Sequence, residues 1–327
     1  MELDRSLLFI KTNAMKETLL LKSENFQWID FENPTQQDLE KIGSRFNLHK
    51  TSIQDCLDPE HLPKLEIISD LQFLILRAPE ENPPDRGVSV QDLTRKIAVF
   101  VGPQFLITIH RASLNCIEKA PLLRQLSNVP SDHSSEALSF LVESVLLQFE
   151  KTIDSFFSQL DQLEASAFNV PGSKNFKLKT AYYFKRKTFV YKMIIKFTRD
   201  AINRMSHNST THAPFIQNLK ENCESLYSYV DELYENINTL ISLHVSLSTQ
   251  KTTEASHRTG EIVRILTLFS IFLLPLNVIT GIYGMNFTHM PELNSPWGYP
   301  LALFSMLLIV LGTYLYLKKR GWLVFKN

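Results

Sequence analysis

One face of the most apolar stretch of the chain carries its less apolar positions at helical spacing. The stripe consists of Val263, Thr267, Ser270, Leu274, Asn277 and Gly281. Its members follow at steps of four, three, four, three and four residues, which places them on one side of an α-helix. An unsatisfied amide such as Asn277 costs several kcal/mol in hydrocarbon, so this face must pack against protein or line water.

Two interpretations of this stripe remain open from the spacing alone. Gly, Ser and Thr commonly form the packing surface between membrane helices. Alternatively the stripe lines a water-filled pore. A single stripe cannot enclose a channel, so a pore requires a ring of subunits.

The stripe lies in the first of two apolar runs. Residues 265–282 contain no charge and span ~27 Å at ~1.5 Å per residue, close to the hydrocarbon thickness of a bilayer. Residues 299–317 form a second such run, which ends at Lys318, Lys319 and Arg320. A soluble protein could bury one such helix, but two in tandem favour a membrane hairpin over a buried soluble one.

The charges around the two runs predict the orientation of the hairpin. The linker from 284 to 298 has no Lys or Arg, whereas Arg258 and Arg264 precede the first run and three cations follow the second. By the positive-inside rule both termini are cytoplasmic. The first residues have no apolar segment typical of a secretory signal, so we expect a two-span protein of the cell (inner) membrane, embedded in the lipid bilayer.

Composition and short motifs exclude several functional classes. Lys plus Arg and Asp plus Glu both number 34, so no bulk attraction to nucleic acid is expected. The three cysteines, Cys56, Cys116 and Cys223, lie far apart and in no C-x-x-C arrangement, which favours buried, inert thiols. The sequence has no nucleophile elbow, phosphate-binding glycine loop or H-E-x-x-H motif, so an enzyme is not expected.

The first 130 residues have the pattern of an α/β domain. Short β-rich runs are separated by turn residues; they include residues 7–11, 18–21, 66–68, 71–76, 97–101 and 105–110. Asn33 followed by Pro34 predicts a helix with Asn33 as N-cap and Pro34 at the first helical position.

Residues 131–261 have a helical pattern. Apolar residues recur at three- and four-residue steps from Leu138 to Leu163, residues 169–173 form a break, and residues 176–205 predict a second helix followed by a polar loop at 206–211. From Pro214 no further proline or glycine appears before Gly260. We therefore predict one helix of roughly 70 residues, ~100 Å long, that continues into a membrane segment assigned to residues 262–327.

Charged residues on the predicted cytosolic helices have two open interpretations. The second helix carries the cations Lys185, Arg186, Lys187, Lys192, Lys196 and Arg199. A nucleic-acid surface is not favoured, because the preceding helix offers the acids Glu143, Glu150, Asp154, Asp161 and Glu164 as partners. The long helix carries Glu221, Glu224, Asp231, Glu232 and Glu235, which form either a solvated face or a cation-sensing belt.

Four motifs in the C-terminal region together resemble the CorA family of divalent-cation channels. They are Tyr283-Gly284-Met285-Asn286, Met290-Pro291-Glu292-Leu293, Trp297-Gly298-Tyr299-Pro300 and Lys318-Lys319-Arg320-Gly321-Trp322-Leu323. The segment 55–77, which includes Pro63-Lys64-Leu65-Glu66 and Asp70, is similar to the cytosolic domain of that family. A lone Gly-Met-Asn motif is weak evidence for this resemblance, but the order and spacing of all four motifs are specific to the family.

The resemblance implies a funnel-shaped homopentamer that takes up Mg²⁺, with Co²⁺ or Ni²⁺ as alternatives. Five copies of the long helix would line the pore. Gly284, Met285 and Asn286 would form the selectivity filter, where amide oxygens of Asn286 hold the hydrated ion through its own waters. The remaining pore-lining residues would be Gly281, Asn277, Leu274, Ser270, Thr267, Leu266 and Val263, with hydrophobic constrictions at Leu274, Leu266 and Val263.

Outside the pore the resemblance implies three further sites. Glu292 is the only carboxylate of the outer loop, because Thr288, which His289 follows, stands at a position that is often acidic in relatives. Lys318, Lys319 and Arg320 would form a basic ring at the inner end. Regulatory Mg²⁺ between cytosolic domains would use Glu80, Glu81, Asp85, Glu224 and Asp231, although Ser225 stands at one position where an acid is expected.

Two other functions remain as alternatives. One is a zinc transporter of the related ZntB type, which usually departs from the pattern around Tyr283-Gly284-Met285-Asn286 and Met290-Pro291-Glu292-Leu293. The other is a membrane-anchored scaffold protein, which would not need the polar stripe.

Overall fold

The computed structural model describes residues 15–23, 26–68, 70–127, 134–168, 176–208, 213–286 and 290–322. The predicted strand at 7–11 and the predicted break at 169–173 lie outside these residues. The chain divides into two compact units, Met1–His244 and Val245–Asn327. The arrangement confirms the predicted fold class: an α/β layered domain, long helices and two apolar C-terminal helices.

The first unit contains a mixed six-stranded sheet. Its strands are β1 (Lys16–Lys22), β2 (Gln27–Glu32), β3 (Lys64–Ile68), β4 (Leu71–Pro79), β5 (Thr94–Val101) and β6 (Phe105–His110). Their order across the sheet is β1-β2-β6-β5-β4-β3, in which only β2 and β6 pair in parallel. The five β-rich runs predicted between residues 18 and 110 coincide with strands. The structure also contains β2, which was not among the predicted runs.

Three short helices connect the strands: α1 (Gln36–Arg45), α2 (Lys50–Leu57) and α3 (Val90–Leu93). The predicted start of α1 is wrong, because Thr35 and not Asn33 is its N-cap. Thr35 accepts from the Asp38 backbone N–H at 3.2 Å, and the Asp38 carboxylate accepts in return, which completes a capping box. Asn33 has a left-handed φ of 54° and turns the chain out of β2.

Five longer helices follow: α4 (Asn115–Ser127), α5 (Ser134–Ala167), α6 (Leu178–Asn208), α7 (Ala213–Tyr283) and α8 (Gly298–Lys319). The predicted long helix is confirmed, since α7 has 71 residues. The predicted boundary at Ser206 is wrong by a few residues, because α6 continues to Asn208 and the rest of the predicted loop lies outside the described residues.

Hydrophobic clusters cover both faces of the sheet. One face packs against α1 and α2, with Phe31, Phe73 and Phe100 in that core. The other face belongs to a larger core that includes Trp28, Leu76 and the buried residues of α5, α6 and the first part of α7. The predicted apolar side of α5 is buried from Leu138 to Leu160, and all three cysteines are buried free thiols, as expected.

The partners predicted for the basic helix are wrong. Among the described residues, the cross-helix ion pair formed by these cations joins Lys192 to Asp231 in α7, not to an acid of α5. Lys185 and Arg199 also lie over aromatic rings of α7, 5.6 Å from Tyr234 and 4.5 Å from Tyr227. Helical periodicity shows that a face is charged but does not show which neighbouring helix it meets.

Candidate ion pathway

The second unit contains the two most apolar helical segments. Both are long and apolar enough to cross a membrane, and they lie within 215–283 and 298–319. Only 6% of the most apolar part of each segment is buried within the chain. The side chains of both segments are therefore available to lipid or to other subunits.

The hydroxyl groups of the polar stripe are satisfied by the backbone of α7 itself. Thr267 donates to the Val263 carbonyl at 2.8 Å, and Ser270 donates to the Leu266 carbonyl at 3.0 Å. By contrast, no hydrogen-bond partner of the Asn277 side chain is found among the described residues of this chain. Because an unpaired amide is costly in hydrocarbon, the Asn277 side chain must meet water or a second chain.

The apolar members of the stripe, Val263 and Leu274, and the neighbouring Leu266 are also uncovered in the single chain. Val263, Leu266 and Leu274 are 54%, 65% and 67% exposed. A Cβ atom built at Gly281 would meet no described atom within 4 Å. The packing-stripe interpretation therefore has no partner helix among the described residues of this chain, and any packing or water must come from outside it.

Pro275 lies inside α7, between Leu274 and Asn277, and helical spacing alone does not predict a role for it. A proline has no N–H, so Pro275 removes the donor that would otherwise bond the carbonyl of Ile271. Membrane helices tolerate such a site where side chains or water satisfy the freed carbonyl. The signal was present in the sequence, as a proline between two members of the stripe.

The Gly-Met-Asn segment follows directly on the end of α7. The Gly284 N–H bonds the Thr280 carbonyl at 2.9 Å and the Met285 N–H bonds the Ile282 carbonyl at 3.2 Å, so the last turn tightens before the chain leaves the helix. Gly284, Met285 and Asn286 are exposed. The structure thus places the Asn286 amide just beyond the end of the stripe-bearing helix.

Glu292 lies in a 3₁₀ turn, Pro291–Asn294, that packs against the start of α8. The Gly298 N–H bonds the Ser295 carbonyl at 3.0 Å, and a Cβ atom at Gly298 would lie only 2.0 Å from the Glu292 carbonyl oxygen. No side chain fits there, so glycine is required at this position. This contact gives a physical reason for the glycine of the Trp-Gly-Tyr-Pro motif and fixes the turn that carries Glu292.

Comparison with known proteins identifies the family. The family model for "CorA-like Mg2+ transporter protein" matches residues 23–319, which is most of the chain. The chain belongs to this family. The CorA resemblance of the four C-terminal motifs is thereby confirmed.

Relatives of known name match along nearly the whole chain. A putative metal ion transporter, YfjQ of Bacillus subtilis, is 24% identical over 305 residues, which are 91% of each chain. The cobalt/magnesium transport protein CorA of Thermotoga maritima is 20% identical over 323 residues, 96% of this chain and 88% of that protein. The complete structure of the CorA magnesium transporter of Methanocaldococcus jannaschii has the same fold, with a TM-score of 0.57, 20% identity and 93% coverage of both chains.

The basic cluster of this CorA-family chain lies at the C-terminal end of α8. Lys318 and Lys319 belong to the last turn and Arg320 is the C-cap. Arg320 also lies 5.7 Å from the centroid of the Tyr316 ring. Cations at this end favourably oppose the partial negative charge of the helix carboxyl terminus.

The five acids considered for regulatory metal in the CorA resemblance do not form a site within one chain. Glu80 pairs with Arg95, Glu81 accepts from Asn115, and Asp231 pairs with Lys192. Asp85 and Glu224 are exposed. Among the described residues, no group of three or more His, Cys, Asp or Glu side chains is placed to hold a metal ion. Their regulatory role remains a prediction that involves neighbouring subunits.

Proposed function

We propose that this protein is a channel for hydrated divalent cations, with Mg²⁺ as its substrate and Co²⁺ or Ni²⁺ as alternatives. The observation that carries the proposal is the uncovered polar stripe of α7, beyond whose end the Asn286 amide is exposed. Membership of the family supports it, as do relatives named for cobalt and magnesium transport. A membrane potential of 100 mV favours inward movement of a divalent ion by ~4.6 kcal/mol, so no ATP site is required.

The chemistry of the amide suits a hydrated ion. Mg²⁺ gives up its first-shell waters reluctantly, so a filter that binds those waters avoids the barrier of stripping them. An amide oxygen accepts hydrogen bonds from coordinated water without carrying a full charge. A carboxylate ring at Asn286 would hold the ion more strongly and release it more slowly.

The pathway requires several copies of the chain. One stripe cannot surround an ion, so we propose a closed ring of subunits, a homopentamer, with α7 of each subunit facing the axis. In that ring Asn277 forms a second polar level, Gly281 exposes its backbone carbonyl, and Leu274, Leu266 and Val263 form constrictions that close by dewetting. Both termini and the whole first unit lie on the cytoplasmic side of the inner membrane.

The assembly proposal is tested by mass. The purified protein in mild detergent or nanodiscs should have the native mass of a pentamer. A monomeric or dimeric mass would contradict the pore, because neither can enclose the stripe.

The filter is tested by ion flux into proteoliposomes that contain the purified protein, measured separately for Mg²⁺, Co²⁺, Ni²⁺ and Zn²⁺. Asn286→Ala should abolish Mg²⁺ flux and leave the oligomer intact, since an alanine ring has no acceptor for the waters of the ion. Asn82→Ala is the matched control, because Asn82 is an exposed asparagine of the first unit. Undiminished flux in an assembled Asn286→Ala protein would exclude the filter, and flux of Zn²⁺ alone would instead support the zinc transporter.

A further inference from the structure

A basic cavity of about 260 Å³ lies in the first unit, at the end of the sheet where β5 begins. The antiparallel register places Arg77 of β4 directly opposite Lys96 of β5. On the other side of β5, Ile97 lies opposite His110, and the chain leaves β6 through Arg111. The residues that line the cavity include the cations Arg77, Arg95, Lys96, His110 and Arg111. Like charges at paired positions repel, so this arrangement is not explained by sheet formation.

Three of these cations have only uncharged acceptors among the described residues. The Arg77 guanidinium donates to Thr94 Oγ1 at 2.7 Å, to the Thr94 carbonyl at 3.3 Å, and to the carbonyls of Pro59 and His61, both at 2.9 Å. Although Arg77 is only 1% exposed, no carboxylate of the described chain lies within ion-pairing distance of its guanidinium. Arg95, by contrast, is paired with Glu80.

Lys96 and Arg111 both donate to the carboxyl end of α2. The Lys96 ammonium donates to the carbonyls of Asp55 at 2.6 Å, Cys56 at 2.9 Å and Asp58, which uses all three of its N–H donors. Arg111 Nη2 donates to the Leu57 carbonyl at 3.1 Å. Such contacts cap the helix and oppose its dipole. One cation is enough for that role. Two cations at the helix end, with a third buried beside them, leave positive charge that helix capping does not neutralise.

Burial of this charge has a measurable consequence. Loss of solvent is the main cause that lowers the pKa of Lys96 to about 8; Arg77 and Arg111 act in the same direction, and Cys56 and Asp58 oppose them. Burial likewise lowers the pKa of Arg77 to about 10; Arg95 acts in the same direction, and Asp58 and Glu60 oppose it. A bound anion would remove both penalties.

We propose that this cavity binds a small anion that carries a phosphate group, with the Arg111 guanidinium as its hydrogen-bond donor and the charges of Arg77 and Lys96 attracting it. Guanidinium groups match the geometry of phosphate oxygens, and an ammonium adds a compact charge. The remaining wall is partly apolar, with Pro34, Leu39 and Ile109. Its volume is below the ~300–1,000 Å³ of pockets for drug-sized ligands, so the cavity suits inorganic phosphate or the phosphate end of a mononucleotide. This site is independent of the proposed ion pathway.

The test is isothermal titration calorimetry of the full-length protein in detergent, with EDTA present so that no phosphate complex of Mg²⁺ forms. Inorganic phosphate, sulfate and ADP are titrated at constant ionic strength. We expect saturable binding that weakens about tenfold in Arg111→Gln and in Lys96→Met, since each variant removes one positive charge from the cavity. Arg86→Gln is the matched control, because Arg86 is exposed and lies outside the cavity.

A second readout separates a specific site from general attraction to positive charge. Sulfate does not titrate near pH 8, so binding at that pH should be accompanied by proton uptake as the anion restores the charge on Lys96. The uptake is measured in buffers of different ionisation enthalpy and should vanish in Lys96→Met. The other titratable and charged groups that surround Lys96 are Asp55, Cys56, Asp58, Arg77, Arg95, His110 and Arg111.

The outcomes are distinct. Equal affinity for phosphate and ADP supports a site for the phosphate group alone, and tighter binding of ADP supports a nucleotide as its source. Absence of saturable heat with all three anions up to about 10 mM would overturn the proposal. Equal weakening by Arg86→Gln would also overturn it, because the attraction would then not belong to the cavity.

Discussion

The ammonium of Lys192 in α6 forms an ion pair with the carboxylate of Asp231 in α7, and the same ammonium lies 4.9 Å from the centroid of the Tyr234 ring. Burial alone would lower the pKa of Lys192, but the hydrogen bond and charge of Asp231 outweigh it and raise the pKa. Lys192 is therefore charged at neutral pH and holds the Asp231 carboxylate in an ion pair. If Asp231 is a ligand for regulatory Mg²⁺ between subunits, the metal must compete with Lys192.

This competition leads to the first prediction. Lys192→Met frees Asp231 and should lower the internal Mg²⁺ concentration that half-inhibits flux about two- to fivefold, the range expected for loss of a partly exposed ion pair. The measurement is Mg²⁺ flux in proteoliposomes with titrated internal Mg²⁺. Lys196→Met is the control, because Lys196 is an exposed lysine of the same helix.

Neutral amides at Glu224 and Asp231 complete the test of regulation. If these acids sense Mg²⁺, Glu224→Gln and Asp231→Asn should raise the half-inhibiting concentration. Inhibition unchanged by both would place the sensor elsewhere, with Glu80, Glu81 and Asp85 next in order. Flux that is insensitive to internal Mg²⁺ in the unmodified protein would exclude feedback of this kind.

The second prediction concerns stability and pH. His110 Nε2 lies 3.0 Å from both carboxylate oxygens of Asp30, within a buried network that includes Thr108. Burial alone would lower the pKa of His110, but the hydrogen bond and charge of Asp30 raise it above its ordinary value. The stabilisation is therefore fully present below the unfolded pKa, ~6.5, and is lost as pH rises through the folded pKa.

His110→Asn should remove this pH dependence from the first unit. The expected loss below pH ~6.5 is about 1.5–3 kcal/mol, the usual contribution of a hydrogen bond to a charged group. The loss of stability is measured as the fall in Tm of the detergent-solubilised protein across the pH range 5.5 to 8.5, the interval in which histidine titrates. His257→Asn, at an exposed histidine of α7, serves as the control. A Tm profile shared by both variants and the unmodified protein would show that the Asp30 pair does not stabilise the fold.

The third prediction concerns the amide inside the membrane segment. Asn277→Leu should reduce Mg²⁺ flux at least about tenfold, because a hydrophobic ring at this level dewets the pathway. Asn277→Thr retains a hydroxyl and should retain flux. Val278→Leu is the control, since Val278 is the adjacent residue and points away from the stripe. Full flux in an assembled Asn277→Leu protein would indicate that the stripe packs helices and does not line water.

The fourth prediction concerns the turn between the membrane helices. Gly298→Ala places a Cβ atom 2.0 Å from the Glu292 carbonyl oxygen, so the turn must shift. Overpacking of this kind costs about 1–3 kcal/mol and should lower both Tm and flux. In Gly312→Ala the new Cβ meets no described atom within 4 Å, so that variant should be nearly neutral. Equal effects of the two substitutions would argue against the contact.

Much of the fold could be predicted because local periodicity decides it. The β-rich runs, the apolar face of α5 and the unbroken 71 residues of α7 depend on alternation, helical spacing and the absence of helix breakers. The predicted start of α1 was wrong because the Asn33-Pro34 pair has the residue types of a helix start, whereas the capping box begins two residues later at Thr35. Only the backbone geometry distinguishes these two possible starts.

Local sequence patterns define the two apolar helices, the polar stripe on the first and the position of Asn286 beyond its end, since each depends on residues close together in the chain. The packing of the folded chain determines which helix the cations of α6 meet. It also brings the Glu292 carbonyl so close to Gly298 that no side chain fits there. It also decided that Arg77, Lys96 and Arg111 share one cavity, although they come from different strands and a loop. Strand register and helix packing join residues far apart in sequence, and no local pattern records that pairing.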